Sequence, residues 1–143
     1  YSRYTLQTGP PASPSRYHGC FPLELARTKP YGYSLFNLDA MATVCHILSD
    51  DTNNLWQYTT KDGRNMQKGV AWLCPYIKDK SAWPFEKDVM YWDEWPVAHT
   101  ALLFSVCDTP DEDYFSLWSE LEHFPENDEV IRNFPLRHPL LWL

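Results

Sequence analysis

Glycine is scarce in this chain: five residues in 143, against twelve prolines. Few positions are therefore free for left-handed backbone, and many corners are rigid. Positive charge is also short, with 12 Lys and Arg against 19 Asp and Glu, a formal net charge of -7 and a sequence pI near 5.1. A general nucleic-acid binder needs a basic stripe to neutralise phosphates, so that class is excluded. An anionic ligand is not, because a few placed Arg or Lys can hold one inside an acidic protein. No run of about 18 uncharged apolar residues occurs, so no membrane-spanning helix is expected. Tyr1-Ser2-Arg3-Tyr4 leads into polar sequence and not into the apolar stretch of a secretory leader. A first residue other than Met points to processing or a lost start. Cys20, Cys45, Cys74 and Cys107 show no CxxC spacing, which argues against a zinc site. Cys45, Cys74 and Cys107, within apolar helical runs, read as buried thiols or one internal disulfide. There is no Gly-rich phosphate loop, no HExxH and no nucleophile elbow. No metal and no organic cofactor is called for.

What the chain has in excess is aromatic rings: seven Trp, nine Tyr and seven Phe. Flat rings can line a groove that meets apolar sugar faces, or they can fill a core. Hydrophobic residues are 44% and charged residues 22%, the balance of a globular chain. The length fits one domain or part of a larger one.

The periodicity is helical. Residues 1–33 hold a loop-rich segment containing Gly9-Pro10-Pro11-Ala12-Ser13-Pro14-Ser15. Ser34 is a plausible N-cap for a helix whose stripe is Leu38, Met41, Cys45 and Leu48, widened by Val44 and Ile47. Asp62-Gly63-Arg64 opens a second helix with Met66, Val70, Leu73 and Ile77 on one face; Pro75 should kink it or end it early. A third runs near Pro96 to Val106. Thr109-Pro110 reads as cap and first position of a fourth, striped by Tyr114, Leu117, Trp118 and Leu121. Residues 124–143, with Pro135 and Pro139, are expected as an extended wrap whose Leu140-Leu141-Trp142-Leu143 end needs a surface to cover. No convincing strand period appears, so the fold class is all-α, with helical hairpins over 34–123.

One segment stands out for chemistry. Ala26-Arg27, then Lys29, Tyr31 and Tyr33, precede Ser34-Leu35-Phe36-Asn37-Leu38. This pattern resembles the alginate lyase family, in which an Ala-Arg pair precedes a Tyr just before a helix reading Leu-Phe-x-Leu. The tail from Glu129 to Trp142 is similar to the C-terminal end of such proteins. The resemblance covers about residues 20 to 143. The Arg-to-Tyr spacing is six, one shorter than in the best-known subgroup, and Ser34 stands where that subgroup has His, which marks a divergent branch. The resemblance implies an (α/α) toroid of antiparallel helical hairpins, of which residues 1–143 would be the C-terminal portion, partnered by the N-terminal portion of the same toroid. It implies an anionic polysaccharide substrate, a polyuronate, and secretion.

Those residue types suit the reaction. A polyuronate lyase removes the C5 proton of a uronate and expels the O4 sugar by β-elimination. Donors must hold the carboxylate and stabilise the charge that develops on it. The planar fork of an arginine can do so with two-point contact. A tyrosine can take or give the proton, although a free phenol has a pKa near about 10; a neighbouring guanidinium and a helix N-terminus would lower it. The resemblance gives these roles to Tyr33 as acid and base and to Arg27 as its helper. Lys29, Tyr31 and His18 are candidate substrate contacts, and Trp92 and Trp95 candidate sugar platforms. Without the resemblance, Tyr33 and Leu38 would read as a hydrophobic staple around the cap, and Arg27 as a surface ion pair with Glu24.

The family also carries an Asn-His pair on an earlier helix, and no Asn-His dipeptide occurs here. His46 and His99 fall within helical runs and read as satisfied histidines; His18 is the local substitute. The simplest expectation is that the Asn-His helix lies upstream of Tyr1. Two other classes compete: a non-catalytic module binding acidic polysaccharide on the same scaffold, and a glycoside hydrolase using Asp93 and Glu94. Adjacent carboxylates point in different directions, and acidic residues favour helix starts in any case.

Overall fold

The computed structural model describes residues 19–106, 109 and 113–143. Among them there is no strand, in agreement with the all-α expectation. Six α-helices occur: α1 (Pro22–Leu25), α2 (Pro30–Leu48), α3 (Met66–Lys78), α4 (Thr100–Ser105), α5 (Tyr114–Glu120) and α6 (Asp128–Arg132). Single 3-10 turns span Lys80–Ala82, Trp92–Glu94 and Pro139–Trp142. No described helix is long and apolar enough to cross a membrane.

α2 is the central element, and α1, α3 and α4 all pack on it. Its start differs from the expected one. The helix begins at Pro30, whose fixed φ suits the first helical position and whose missing N–H costs nothing there. Ser34 is not a cap: its hydroxyl donates back to the Pro30 carbonyl at 2.6 Å. The N-cap residue, Lys29, offers no side-chain acceptor. Asp88 supplies it from 57 residues away, accepting the Tyr31 N–H at 2.8 Å and the Gly32 N–H at 2.9 Å. A Cβ on Gly32 would lie 2.8 Å from Asp88 Oδ2 and 2.8 Å from Trp95 Nε1, so only glycine admits both neighbours. The staple around Ser34 is thereby ruled out, since Tyr33 lies inside the first turn.

The buried face of α2 is also rotated from the expected stripe. Leu35, Leu38, Asp39, Ala42 and Cys45 are buried, whereas Val44, Ile47 and Leu48 are more than half exposed. The helix is apolar on nearly all sides, so periodicity alone could not choose its inner face. The polar Asp39 lies on that inner face because it has partners. Its Oδ2 meets His99 Nδ1 at 2.7 Å and its Oδ1 accepts the Ala101 N–H at 3.0 Å. The Val97 N–H donates to His99 Nε2 at 3.3 Å, which leaves the ring's hydrogen on Nδ1, facing Asp39. His99 is thus a satisfied core histidine, as its place in the sequence led us to expect.

α3 starts three residues after Gly63, with Asn65 accepting the Lys68 N–H at 2.9 Å, and it continues through Pro75 to Lys78. Pro75 falls in the last turn, where little helix remains to be broken. α4 is shorter than its stripe, beginning at Thr100 after the His99 cap. α5 is capped by Asp113, which accepts the Ser116 N–H at 3.2 Å; the expected start over Pro110-Asp111-Glu112 lies outside the described residues, as does Cys107. The tail is not an extended wrap. Asn127 caps the short helix α6, accepting from Glu129 and Val130 N–H groups, and Pro139–Trp142 form a 3-10 turn.

Most rings fill the core. Tyr31, Trp72, Tyr76, Trp83 and Phe85 form one edge-to-face cluster, with centroids of Tyr31 and Trp83 4.9 Å apart and of Trp83 and Phe85 5.2 Å apart. That geometry opposes positive ring edges to negative faces.

Candidate active site

The turn between α1 and α2, residues 26–29, carries Arg27 and Lys29 to the head of α2. There the structure brings both cations to Tyr33. Arg27 Cζ lies 3.7 Å from the Tyr33 ring centroid and Lys29 Nζ lies 4.9 Å from it. Both are within cation–π range. Arg27 is steadied by Glu24, with Nη1 donating at 3.0 Å, and Glu24 in turn accepts from Asn37 Nδ2 at 3.2 Å. The ion pair that a purely structural account proposed for Arg27 does exist, and it holds the guanidinium beside Tyr33.

Lys29 has a second partner that the sequence did not announce. Its ammonium pairs with the Glu129 carboxylate of α6, 100 residues away. Burial by itself would lower the Lys29 pKa, but the Glu129 carboxylate and the Tyr33 hydroxyl outweigh it and hold the ammonium above the ordinary lysine value. Glu129 is held below the ordinary carboxylate range, chiefly by its hydrogen bond from Lys29. Arg132, one turn further along α6, also pairs with Glu129. The tail therefore closes onto the candidate site.

The loop around residue 88 forms the other wall. The Val89 N–H donates to the Thr28 carbonyl at 3.0 Å, beside the Asp88 cap. Burial pushes Asp88 above the usual carboxylate value, against the pull of the Gly32 and Tyr31 N–H groups. Tyr91 follows, with Lys29 Nζ 5.2 Å from its ring centroid.

Several expected site residues are not brought here. Tyr31, a candidate substrate contact from the sequence, is fully buried, and its hydroxyl donates to the Tyr76 carbonyl at 2.9 Å. Burial, then the Asp88 charge, raise its pKa strongly, so it is a core residue. Trp95 is also buried, stacked on His99, and offers no face to a sugar. Trp92 is half-buried against Tyr31, with the Lys80 and Lys87 ammonium groups 5.0 and 5.4 Å from its ring centroid. Lys80 donates to the Trp92 and Trp95 carbonyls, at 2.9 and 2.8 Å. Asp93 and Glu94 are exposed on one 3-10 turn. His18 lies outside the described residues. Among the described residues no group of three or more His, Cys, Asp or Glu is placed to hold a metal ion.

Asp88, Tyr91 and Glu129 escaped the sequence because each reaches the site across 50 residues or more. The only local signal was the start of α2, with no capping side chain of its own, which needed an acceptor from somewhere.

This geometry defines a helical protein with an Arg-Lys-Tyr cluster at the head of its central helix. The alginate lyase family model matches residues 15–83, which include that cluster. The crystal structure of an alginate lyase from Bacteroides ovatus is similar in fold, with a TM-score of 0.63 and 31% identity over 82% of this chain. The chain is thus similar to alginate lyases in both sequence and fold. It spans 31% of the length of the Bacteroides ovatus protein. No curated protein matches it.

Proposed function

We propose that this chain contributes the arginine–tyrosine part of a polysaccharide lyase site that cleaves a polyuronate by β-elimination. The observation that carries this is the Arg27 guanidinium held 3.7 Å from the Tyr33 ring, within the segment matched to the family. In this mechanism Arg27 turns its fork from Glu24 to the uronate carboxylate, in two-point contact. Lys29 adds a second positive charge where the carboxylate gains electron density. Tyr33 moves the proton: its deprotonated phenol oxygen takes H5, the C5–H electron pair forms the C4=C5 double bond as the C4–O4 bond breaks, and the resulting hydroxyl returns that proton to O4. The products are a new reducing end and an unsaturated uronate at the new non-reducing end. The missing Asn-His contribution is assigned to the part of the toroid that this chain does not span. Because the polymers of this class lie outside cells, secretion belongs to the same proposal.

The test is ultraviolet absorbance after mixing the chain with alginate, polymannuronate, polyguluronate or glucuronan. Only elimination creates a conjugated double bond; a hydrolase would release reducing sugar without it. We expect a rise on at least one polymer, and a rate lower by about 10²–10⁴ for Tyr33→Phe, the usual loss when positioned acid–base help is removed. Binding without any rise would favour the non-catalytic module on the same scaffold.

A further inference from the structure

Tyr91 has φ 62° and ψ 19°, and it is the only non-glycine residue with positive φ among those described. A β-carbon there crowds the following carbonyl, and a bulky ring gains nothing from that conformation. Glycine or asparagine would occupy the position with less strain. Such outliers persist where the surroundings over-determine them, and they gather at functional sites.

The surroundings here do over-determine it. Asp88 is bonded to two N–H groups of α2, and Val89 is bonded to Thr28. These three bonds fix the loop against the segment that carries Arg27 and Lys29. The Glu94 N–H then donates to the Tyr91 carbonyl at 3.2 Å, closing the turn on the other side. The outcome is a partly exposed ring above the Lys29 ammonium, which the Tyr33 ring also approaches. Core packing does not explain the ring, since Tyr91 is not among the residues packed on the core.

Resting on the lyase reading above, we infer that Tyr91 is a substrate-contacting residue, the sugar platform of this site, on which the apolar face of a uronate ring lies while its carboxylate meets Lys29. The polymer would run past two aromatic rings, Tyr33 and Tyr91, that share one cation. This is the role expected at Trp92 and Trp95, moved to a neighbouring ring that is partly exposed and not packed on the core.

The test is calorimetric titration of the full chain with tetrasaccharides of mannuronate and of glucuronate, beside a thermal melt of each variant. For Tyr91→Gly we expect a Kd raised about 3- to 10-fold, the range for losing one aromatic contact. We also expect a Tm equal to that of the unsubstituted chain or up to about 3 °C higher, because backbone strain is relieved. Tyr91→Phe keeps the ring and should bind within about twofold of the unsubstituted chain. A Tyr91→Gly chain that binds normally overturns the inference and leaves the lyase reading standing. A Tyr91→Gly chain that loses Tm in parallel with affinity also overturns it, because the ring is then a packing group. Loss by Tyr91→Phe equal to that by Tyr91→Gly overturns the ring contact. No binding by the unsubstituted chain, with no absorbance change, overturns both together.

Discussion

The two ends of α2 are built differently. At the N-terminal end every feature is directional: Asp88 caps two N–H groups, Gly32 admits Asp88 and Trp95, and Tyr31 is fully buried with its hydroxyl bonded. At the C-terminal end Val44, Ile47 and Leu48 face outward, more than half exposed. His46 there stacks on Phe104 with centroids 4.0 Å apart, and its Nε2 lies 2.5 Å from the Trp142 carbonyl. The tail that it meets, Leu140 to Leu143, is itself exposed. One end is held by bonds that allow a single geometry, and the other presents apolar area, which is non-directional. The candidate site lies at the held end. Chemistry that depends on an arginine and a tyrosine a few ångströms apart needs that precision.

The sharpest way to break the contrast is at Asp39, midway along the helix. Asp39→Ala strands His99 Nδ1 and the Ala101 N–H in the core. Removing one partner of such a buried pair costs about 3–5 kcal/mol, read as a lower urea midpoint with unchanged slope. Asp88→Ala comes next. Losing a capping acceptor costs about 1–2 kcal/mol, and because Tyr33 rides on the same turn, the rate of the proposed elimination should fall with it while Asn65→Ala, a cap far from the site, leaves that rate alone.

The Lys29–Glu129 pair should show in pH dependence. Glu129 has a folded pKa below its ordinary 4.5. Its contribution to stability is therefore present above that value and is lost as pH falls through the folded pKa. Glu129→Gln should be less stable than the unsubstituted chain near neutral pH, by no more than about 1 kcal/mol for a pair near the surface. The two should converge in acid, as denaturant melts across that range would show. The smallest effect belongs to the open end. Ile47→Ser and Leu48→Ser should change stability by no more than about 0.5 kcal/mol, as exposed substitutions do. A loss of about 2 kcal/mol or more, the cost of a buried aliphatic side chain, would show that this face is covered in solution.

Arg27 and Tyr33 were legible in the sequence because they are six residues apart and sit in a motif. The turn before α2 joins them by local geometry alone. Tyr31 and Trp95 were misplaced because an aromatic ring looks the same in sequence whether it fills a core or faces a groove. Tyr91 was missed because its backbone conformation has no signature in residue type.

The sequence by itself determined the helical class, the acidic character, the approximate positions of the four longer helical stretches, and the Arg-Tyr pair at the head of one of them. These follow from composition, from apolar spacing and from contacts within a single turn. The tertiary structure decided where α2 starts, which face of it is buried, and which long-range groups complete the site. Asp88, Glu129 and the Asp39–His99 pair each satisfy a polar group across dozens of residues, and periodicity carries no information about partners at that distance.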